Sequence, residues 1–249
     1  MRKTAFITGA SSGIGKATAI ALAKEGFQLV LCGRRETKLT ELQEFLKHTP
    51  THQLVFDVRD KNEVKKAIHS LPEEFQEIDV LINNAGNAHG LDTFQEGNLE
   101  DWDAMIDINV KGLLYVSKQI IPGMLEREGG HIINIGSTAG KEVYPKGNIY
   151  CASKHAVDAI NQGMRIDLNG SGVKVGAINP GLVETEFSKV RFKDDEERAN
   201  KVYQGFKALQ AKDIAEIICF VVMRPHHVNI ADLTVMCTAQ ASSTIVDKS

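Results

Sequence analysis

Three residues between positions 137 and 154 have the chemistry of a proton-transfer site. Ser137 follows an apolar run from His131 to Ile135, which predicts a buried strand. Tyr150 and Lys154 are four residues apart in a helical pattern, so they would share one face of a helix. A nearby ammonium stabilises a phenolate and lowers the tyrosine pKa from its ordinary value of about 10. We therefore expect Lys154 to make Tyr150 a proton shuttle, although a Tyr-x-x-x-Lys pair alone is also a common surface arrangement.

The composition limits the class of protein. The 249 residues are 43% hydrophobic and carry a net charge of −3, which suits one large α/β domain and gives no reason to expect a nucleic-acid partner. No stretch approaches the ~18 apolar residues of a membrane span, and the N-terminus lacks the apolar core of a secretory signal, so we expect a cytoplasmic protein. The four cysteines, Cys32, Cys151, Cys219 and Cys237, are scattered and lack the spacing of a metal site. We therefore expect reduced thiols and no bound metal.

A glycine-rich turn separates the first predicted strand, Ala5–Ile7, from a helical pattern. Glycines let the backbone turn tightly and approach a pyrophosphate, and the N-terminus of the following helix supplies N–H donors with a partial positive charge. A strand, a glycine turn and a helix in this order predict a dinucleotide site rather than a generic turn. The residues of the turn that would line this site are Gly9, Ser11, Ser12, Gly13, Ile14 and Gly15.

Two arginines follow the second predicted strand, Leu29–Cys32. Arg34 and Arg35 stand where an NAD enzyme would have a ribose-binding acid. Guanidinium groups suit a 2′-phosphate, so this position predicts NADP rather than NAD. Exposed loop arginines are common and Glu36 is adjacent, so solvated arginines are the alternative.

Small and polar residues also follow the third and fourth predicted strands. An acid after the third strand could accept a hydrogen bond from the adenine amino group, or it could be an ordinary loop acid. The asparagine after the fourth strand could tie neighbouring loops together, and the small residues beside it would let the backbone approach a ribose. The residues are Asp57 and Val58 after Gln53–Phe56, and Asn84, Ala85 and Gly86 after Val80–Ile82.

Strands and helices alternate along the whole chain, which predicts a single doubly wound Rossmann-type domain, 1–249, with a mostly seven-stranded parallel sheet. We expect cofactor motifs mainly in 1–110 and catalytic and substrate elements mainly in 131–210. The polar, weakly patterned segment 182–207 has the character of a mobile lid. The remaining predicted elements are helices at Lys38–Lys47, after the N-cap Asp60, at Leu99–Leu125, from Tyr150 to Leu168 and at Ala211–Met223, with strands at Val173–Ile178 and Leu233–Met236.

Together these motifs resemble the classical short-chain dehydrogenase/reductase family. The resemblance rests on Thr8-Gly9-x-x-x-Gly13-x-Gly15, Asn83-Asn84-Ala85-Gly86, Asn109, Ser137, Tyr150-x-x-x-Lys154 and Pro180-Gly181. Three further stretches resemble the NADP-dependent serine and allo-threonine 3-dehydrogenases, a group also described as 3-hydroxy acid dehydrogenases. They are Ile133–Gly140, Pro180–Ser188 with Val190-Arg191-Phe192, and Ile230–Thr234. That group usually has Pro-Thr-x-Gln after the last strand, where this chain has Cys237-Thr238-Ala239-Gln240.

The resemblance implies a role for each matching residue. Tyr150 would exchange a proton with the substrate oxygen, Ser137 would orient that oxygen, and Lys154 would also hold the nicotinamide ribose. Asn109 would help to hold a water that relays protons to Lys154. The nicotinamide ring would be fixed by Pro180, Gly181, Val183 and Thr185. The resemblance also implies a homotetramer, for which Leu113–Leu125 and Val157–Met164 offer apolar helices.

We therefore predict an NADP-dependent oxidoreductase that transfers a hydride to or from a small 3-hydroxy acid. The carboxylate of such a substrate needs a cation, and Arg191 in the predicted lid is the candidate; a solvated lid arginine is the alternative. Cys151 is expected to be a structural thiol beside Tyr150. The alternatives for the whole chain are a broad carbonyl or ketoacyl reductase, which would want a longer apolar cleft, and a non-catalytic NADPH sensor.

Overall fold

Seven parallel strands form the sheet that carries the residues singled out above. They are β1 (Thr4–Thr8), β2 (Gln28–Gly33), β3 (Thr51–Val55), β4 (Ile78–Asn83), β5 (Gly130–Ile135), β6 (Val173–Pro180) and β9 (Asp232–Val235). The computed structural model describes residues 2–248, and within them the strand order is β3-β2-β1-β4-β5-β6-β9, with every neighbouring pair parallel. The predicted doubly wound sheet is confirmed. Its strand order reverses between β1 and β4, where such sheets bind ligands beyond the carboxyl ends of the strands.

Helices connect the strands and cover both faces of the sheet. They are α1 (Gly13–Lys24), α2 (Glu36–Phe45), α3 (Lys61–His69), α4 (Glu73–Gln76), α5 (Leu99–Ile106), α6 (Gly112–Glu126), α7 (Asn148–Asp167), α8 (Phe187–Arg191), α9 (Glu196–Lys201) and α10 (Ala211–Val222). Short 3-10 turns lie at Phe94–Glu96 and Thr138–Gly140. The Asp60 side chain caps α3 as predicted, because it accepts hydrogen bonds from two N–H groups of the first turn.

The core has one layer on each face of the sheet, because side chains alternate along each strand. Ile7 of β1 packs with Leu22 of α1 and Ile218 of α10. Its neighbour Phe6 points the other way and packs with Val116 of α6. Burying a large apolar side chain contributes roughly 1.5–3 kcal/mol. A central strand with apolar residues on both faces therefore needs helices on both, and this holds the carboxyl ends of the strands in one rigid edge.

The predicted helical stretch from Leu99 to Leu125 is confirmed, and it contains one irregular turn. It consists of α5, a π-helical turn at Asp107–Lys111 and α6. The π turn within this helical stretch was not predicted, because helical periodicity alone does not reveal one inserted residue. The π turn carries Asn109, whose side-chain amide donates to the Asn87 carbonyl at 2.8 Å and to Ser153 Oγ at 3.0 Å.

The segment predicted as a weakly patterned lid contains regular structure. Besides α8 and α9 it holds β7 (Val183–Glu184), which pairs in parallel with β8 (Leu209–Gln210). The Tyr203 hydroxyl donates to the Val183 carbonyl at 3.0 Å and contacts Ser188 Oγ at 2.7 Å. These elements are too short to show a period in the sequence. We call residues 182–207 the lid; its mobility stays a prediction.

Smaller differences concern element ends. Helix α2 begins two residues before the predicted Lys38, and β3 begins two before the predicted Gln53. Helix α4 has a single turn, which is too short for a periodic signal. Cys32, Cys151, Cys219 and Cys237 are free thiols, as predicted. Within residues 2–248, no helix has the combination of length and apolar character that crossing a membrane requires.

Candidate active site

A cavity of about 560 Å³ opens at the carboxyl edge of the sheet, between the strand ends and the lid. It brings together nearly all of the residues predicted for the site. The predicted residues that line it are Gly9, Ser11, Ser12, Gly13, Ile14, Arg34, Arg35, Asp57, Val58, Asn84, Ala85, Gly86, Ser137, Tyr150, Lys154, Pro180, Gly181, Val183, Thr185 and Arg191. Gly15 and Asn109 lie outside the lining and act on it through neighbours.

The glycine turn forms one end of the cavity. Gly9 has φ +67°, a conformation that a side chain would strain. A side chain at Gly15 would collide with the Gly9 carbonyl and the Asn84 amide, so Gly15 lets α1 approach the turn closely. Asn84 ties the turn to β4, since its Nδ2 donates to the Thr8 carbonyl at 2.9 Å. The N-terminus of α1 is thus presented without obstruction, a cradle that fits a pyrophosphate.

The arginines after β2 lie at the same end of the cavity, and they differ in their partners. Arg35 donates from Nη2 to Ser11 Oγ at 3.2 Å and from Nη1 to Glu186 Oε2 at 2.9 Å. Arg34 Nη1 lies 3.6 Å from Asp57 Oδ2, a loose ion pair. Both guanidinium groups border the cavity and are about half exposed, so they fit an added phosphate as well.

Asp57 is held by a neighbouring arginine. Arg59 donates to Asp57 Oδ2 from Nε at 3.0 Å and from Nη2 at 2.7 Å. Burial raises the pKa of Asp57, but the hydrogen bonds and charge of Arg59, with the charge of Arg34, outweigh it and leave that pKa below its ordinary value. The carboxylate is therefore ionised and oriented at the cavity wall, which is compatible with accepting from an adenine amino group.

Ser137, Tyr150 and Lys154 converge at the middle of the cavity and are all buried. Ser137 lies two residues after the last residue of β5 and caps the following 3-10 turn, where its Oγ accepts from the Ala139 N–H at 3.1 Å. Lys154 lies one turn after Tyr150 on α7 and donates from Nζ to the Ile135 carbonyl at 2.9 Å. Burial lowers the pKa of Lys154 to about 8.

The expected lowering of the Tyr150 pKa was wrong for the site as it stands. Burial raises that pKa well above its ordinary value, and the neighbouring Tyr144 adds to the rise. A hydrogen bond with Ser137 and the charge of Arg191 only partly offset it. Lys154 directs its ammonium to the Ile135 carbonyl, and the loss of water around the phenol is the largest influence on the Tyr150 pKa. Tyr150 is therefore a protonated acid at neutral pH.

Asn109 lies outside the cavity lining and binds the loop next to Lys154. Its Oδ1 accepts from the Asn87 N–H at 2.9 Å while its Nδ2 donates to the Asn87 carbonyl. A side chain at Gly86 would approach Asn109 Oδ1 and then Lys154 Nζ, so the three groups adjoin. The position of Asn109 is compatible with a water relay toward Lys154, and its side chain itself fixes the loop after β4.

Arg191 reaches from α8 of the lid over the aromatic rings of the centre. Its Cζ lies 5.6 Å from the Tyr150 ring centroid and 5.7 Å from that of Tyr144. Its Nη1 donates to the Tyr144 hydroxyl at 3.1 Å and its Nε to the Gly90 carbonyl at 3.1 Å. Among residues 2–248 no carboxylate forms an ion pair with it. Arg191 is thus partly buried and held by hydrogen bonds to the protein.

A family model described as short chain dehydrogenase matches residues 3–196. The matched range contains the glycine turn, Ser137, Tyr150, Lys154 and the Pro180-Gly181 turn. The chain belongs to the short-chain dehydrogenase family. This confirms the predicted oxidoreductase class.

Relatives of this short-chain dehydrogenase cover nearly its whole length. It is 44% identical over 238 residues to the NADP-dependent 3-hydroxy acid dehydrogenase YdfG of Salmonella typhi, with 95% of each chain covered. It is 43% identical over 245 residues to sulfoacetaldehyde reductase 2 of Chromohalobacter salexigens, covering 98% of this chain and 97% of that one. The closed form of a serine dehydrogenase complexed with NADP+ superposes on this chain with a TM-score of 0.93 at 42% identity. The superposition covers 96% of this chain and 97% of that one.

Four residues with defined contacts in the dehydrogenase site escaped the sequence reading. Tyr144 holds Arg191, Tyr203 holds the lid, and Glu186 pairs with Arg35. Gln240 follows the last strand, and its Oε1 accepts from the Leu182 N–H at 2.9 Å, which ties the Pro180-Gly181 turn to the C-terminal segment. Gln240 was visible as part of Cys237-Thr238-Ala239-Gln240, whereas the other three had no local signal because their partners are distant in sequence.

Proposed function

We propose that this chain is an NADP-dependent dehydrogenase that interconverts a small 3-hydroxy acid and the corresponding carbonyl acid. One observation carries the substrate class: Arg191 lies over Tyr150 and forms no ion pair with a carboxylate among the described residues. A partly buried guanidinium beside a proton donor suits a substrate whose anionic group is near the reacting carbon. Relatives named for 3-hydroxy acids, serine and sulfoacetaldehyde, all small and polar, support this.

The roles of the residues follow from their positions. NADP, when bound, supplies or accepts the hydride. Ser137 and Tyr150 hold the reacting oxygen, and Tyr150, with its raised pKa, donates a proton to the alkoxide that forms during reduction. The buried ammonium of Lys154 favours the phenolate that results. Asn109 positions the loop beside Lys154, and Arg191 holds the acid group of the substrate.

The cofactor would occupy the cavity from the glycine turn to the lid. Its pyrophosphate would lie at Gly9–Gly15, and its 2′-phosphate at Arg34 and Arg35. Asp57 and Val58 would border the adenine. The nicotinamide end would be held by Asn84, Ala85, Gly86, Tyr150, Lys154, Pro180, Gly181, Val183 and Thr185. Residues 1–110 would thus mainly bind cofactor, and 131–210 would carry catalysis and substrate selection, within a cytoplasmic homotetramer.

Substitution of Arg191 tests the substrate class. Arg191→Ala should lower kcat/KM for L-serine, L-allo-threonine and 3-hydroxypropionate by a factor equivalent to ~2–3 kcal/mol, and leave the corresponding methyl esters, which lack the carboxylate, nearly unchanged. Lys189→Ala is the matched control, since Lys189 lies on the same helix and pairs with the exposed Glu196. Tyr150→Phe should abolish turnover of every substrate and retain NADPH binding.

Equal losses for acids and esters would show that Arg191 only closes the lid, and would remove the argument for a 3-hydroxy acid. Tight NADPH binding without turnover of any acid, ester or small alcohol would instead favour a sensor. Turnover of long ketones in preference to acids would favour a broad carbonyl reductase.

A further inference from the structure

The arginine that faces the expected 2′-phosphate already has an anionic partner from the lid. Glu186 immediately precedes α8, and its Oε2 lies 2.9 Å from Arg35 Nη1. The other two nitrogens of the guanidinium, Nε and Nη2, face Ser11 Oγ at 3.4 and 3.2 Å. The Glu186 side chain also contacts Ser12 of the glycine turn. The lid therefore places a carboxylate against the phosphate end of the cofactor site, 151 positions away in sequence from the arginine it binds.

Glu186 is ionised in this arrangement. Burial raises its pKa, but the hydrogen bond and charge of Arg35, the Ser12 contact and the charge of Lys38 together leave it below the ordinary glutamate value. A 2′-phosphate that binds Arg35 must approach within hydrogen-bonding distance of the same guanidinium and thus lies within a few ångströms of the Glu186 carboxylate. Two anions at such a separation repel each other, less so where water screens them. A 2′-hydroxyl, as in NAD, carries no charge and meets no such repulsion.

We propose that Glu186 lowers the selectivity for NADP over NAD by competing with the 2′-phosphate of NADP for Arg35. The proposal rests on the role proposed above for Arg35 in binding NADP. Glu186 weakens the discrimination that Arg34 and Arg35 provide, and it lets NAD occupy the site with the Arg35–Glu186 pair intact. Both side chains of the pair are about half exposed, at 46% and 51%, so the effect is moderate rather than absolute.

Direct binding of reduced cofactors tests this. Glu186→Gln keeps the size and an acceptor oxygen but removes the charge, so it separates electrostatic competition from the positioning of Arg35. In fluorescence titrations of the full chain, Glu186→Gln should tighten NADPH binding roughly 3- to 10-fold and change NADH binding less than about twofold. Glu184→Gln is the matched control: Glu184 is an exposed lid carboxylate that accepts from Gln210 Nε2 at 2.9 Å and should leave both affinities unchanged.

Other outcomes overturn the proposal. Unchanged or weaker NADPH binding by Glu186→Gln would mean that Glu186 does not compete, or that it positions Arg35. Equal tightening of NADPH and NADH, or the same gain from Glu184→Gln, would indicate a general charge effect of the lid. Arg35→Gln tests separately whether Arg35 binds the 2′-phosphate. If Arg35→Gln leaves the preference for NADPH intact, the proposed role of Arg35 fails as well. If Arg35→Gln removes that preference and Glu186→Gln changes nothing, only the competition by Glu186 is refuted.

Discussion

At the scale of single residues, the proton chemistry depends on two buried groups of one helix face. Tyr150 has a raised pKa and Lys154 a pKa of about 8, both because burial disfavours the charged form of a tyrosine and of a lysine. In the proposed mechanism, Tyr150 therefore begins a reduction as a proton donor. Because the pKa of Lys154 is about 8, its ammonium is lost as pH rises through that value, so the charge that would favour the resulting phenolate titrates within an accessible pH range.

This predicts the pH dependence of carbonyl reduction. With saturating NADPH, kcat/KM should be level in the acidic range and fall as pH rises through about 8, since Lys154 then loses its proton. The measurement is a profile over about pH 6–10 with the 3-carbonyl acid as substrate. A profile that stays level to the alkaline end would show that the charge of Lys154 does not assist the transfer.

At the scale of elements, β5 leads to the proposed catalytic residue Ser137, two positions after its end, and has a buried histidine near its start. His131 is 4% exposed, and within the described part of the chain neither ring nitrogen has a hydrogen-bond partner. Burial, with a smaller contribution from Lys174, lowers its pKa to about 3. The folded protein thus binds fewer protons than the unfolded chain between pH 3 and the ordinary histidine value of 6.5. Stability from this site is complete above that interval and is lost as pH falls through it.

His131→Leu should therefore stabilise the protein, and most strongly in acid. Leucine has a similar size and removes two buried polar atoms without partners. We expect the gain in the free energy of unfolding to increase by roughly 3–5 kcal/mol between neutral pH and pH 3. Urea unfolding of the variant and wild type at several pH values measures it, with the exposed His227→Leu as control. A gain that is independent of pH would contradict the assignment.

At the scale of the whole molecule, the apolar helices proposed for subunit contacts are only partly available. Leu113 and Val157 are buried within the chain itself, so they cannot pair with another copy. Leu114 and Leu125 of α6 and Ile166 of α7 are exposed by 40%, 41% and 72%. The exposed candidates for contact are therefore Leu114 and Leu125 within the predicted range Leu113–Leu125, and Ile166, which lies two residues beyond the predicted range Val157–Met164.

The homotetramer implied by the family resemblance can be tested directly. Sedimentation velocity at micromolar concentration should give a species of four chains. Ile166→Glu should reduce the assembly to smaller species, because a charge at an apolar contact is desolvated without a partner. The exposed Phe45→Glu on α2 is the control and should leave the assembly intact. A monomeric wild type would remove both the tetramer and the proposed contact face.

The sequence alone determined the sheet and the glycine turn, and it predicted the grouping of Ser137, Tyr150 and Lys154 that the fold brings to one cavity, because each depends on local patterns. The apolar runs specify strands, Gly9 and Gly15 specify a close backbone approach, and the spacing of Tyr150 and Lys154 specifies one helix face. Each of these features depends only on residues that are close together in the sequence. The location of the site at the carboxyl edge of the sheet then follows from the alternation of strands and helices along the chain.

The tertiary structure decided what depends on distant partners and on burial. The side chain of Asn109, in the π turn, forms hydrogen bonds with Asn87 and Ser153. The pairing of Arg35 with Glu186 joins the loop after β2 to the lid. The direction of the Tyr150 pKa shift also needed the fold, since spacing shows a possible charge partner but not the loss of water around the phenol. Desolvation is set by the whole surrounding shell of side chains, and that shell comes from elements far apart in the chain.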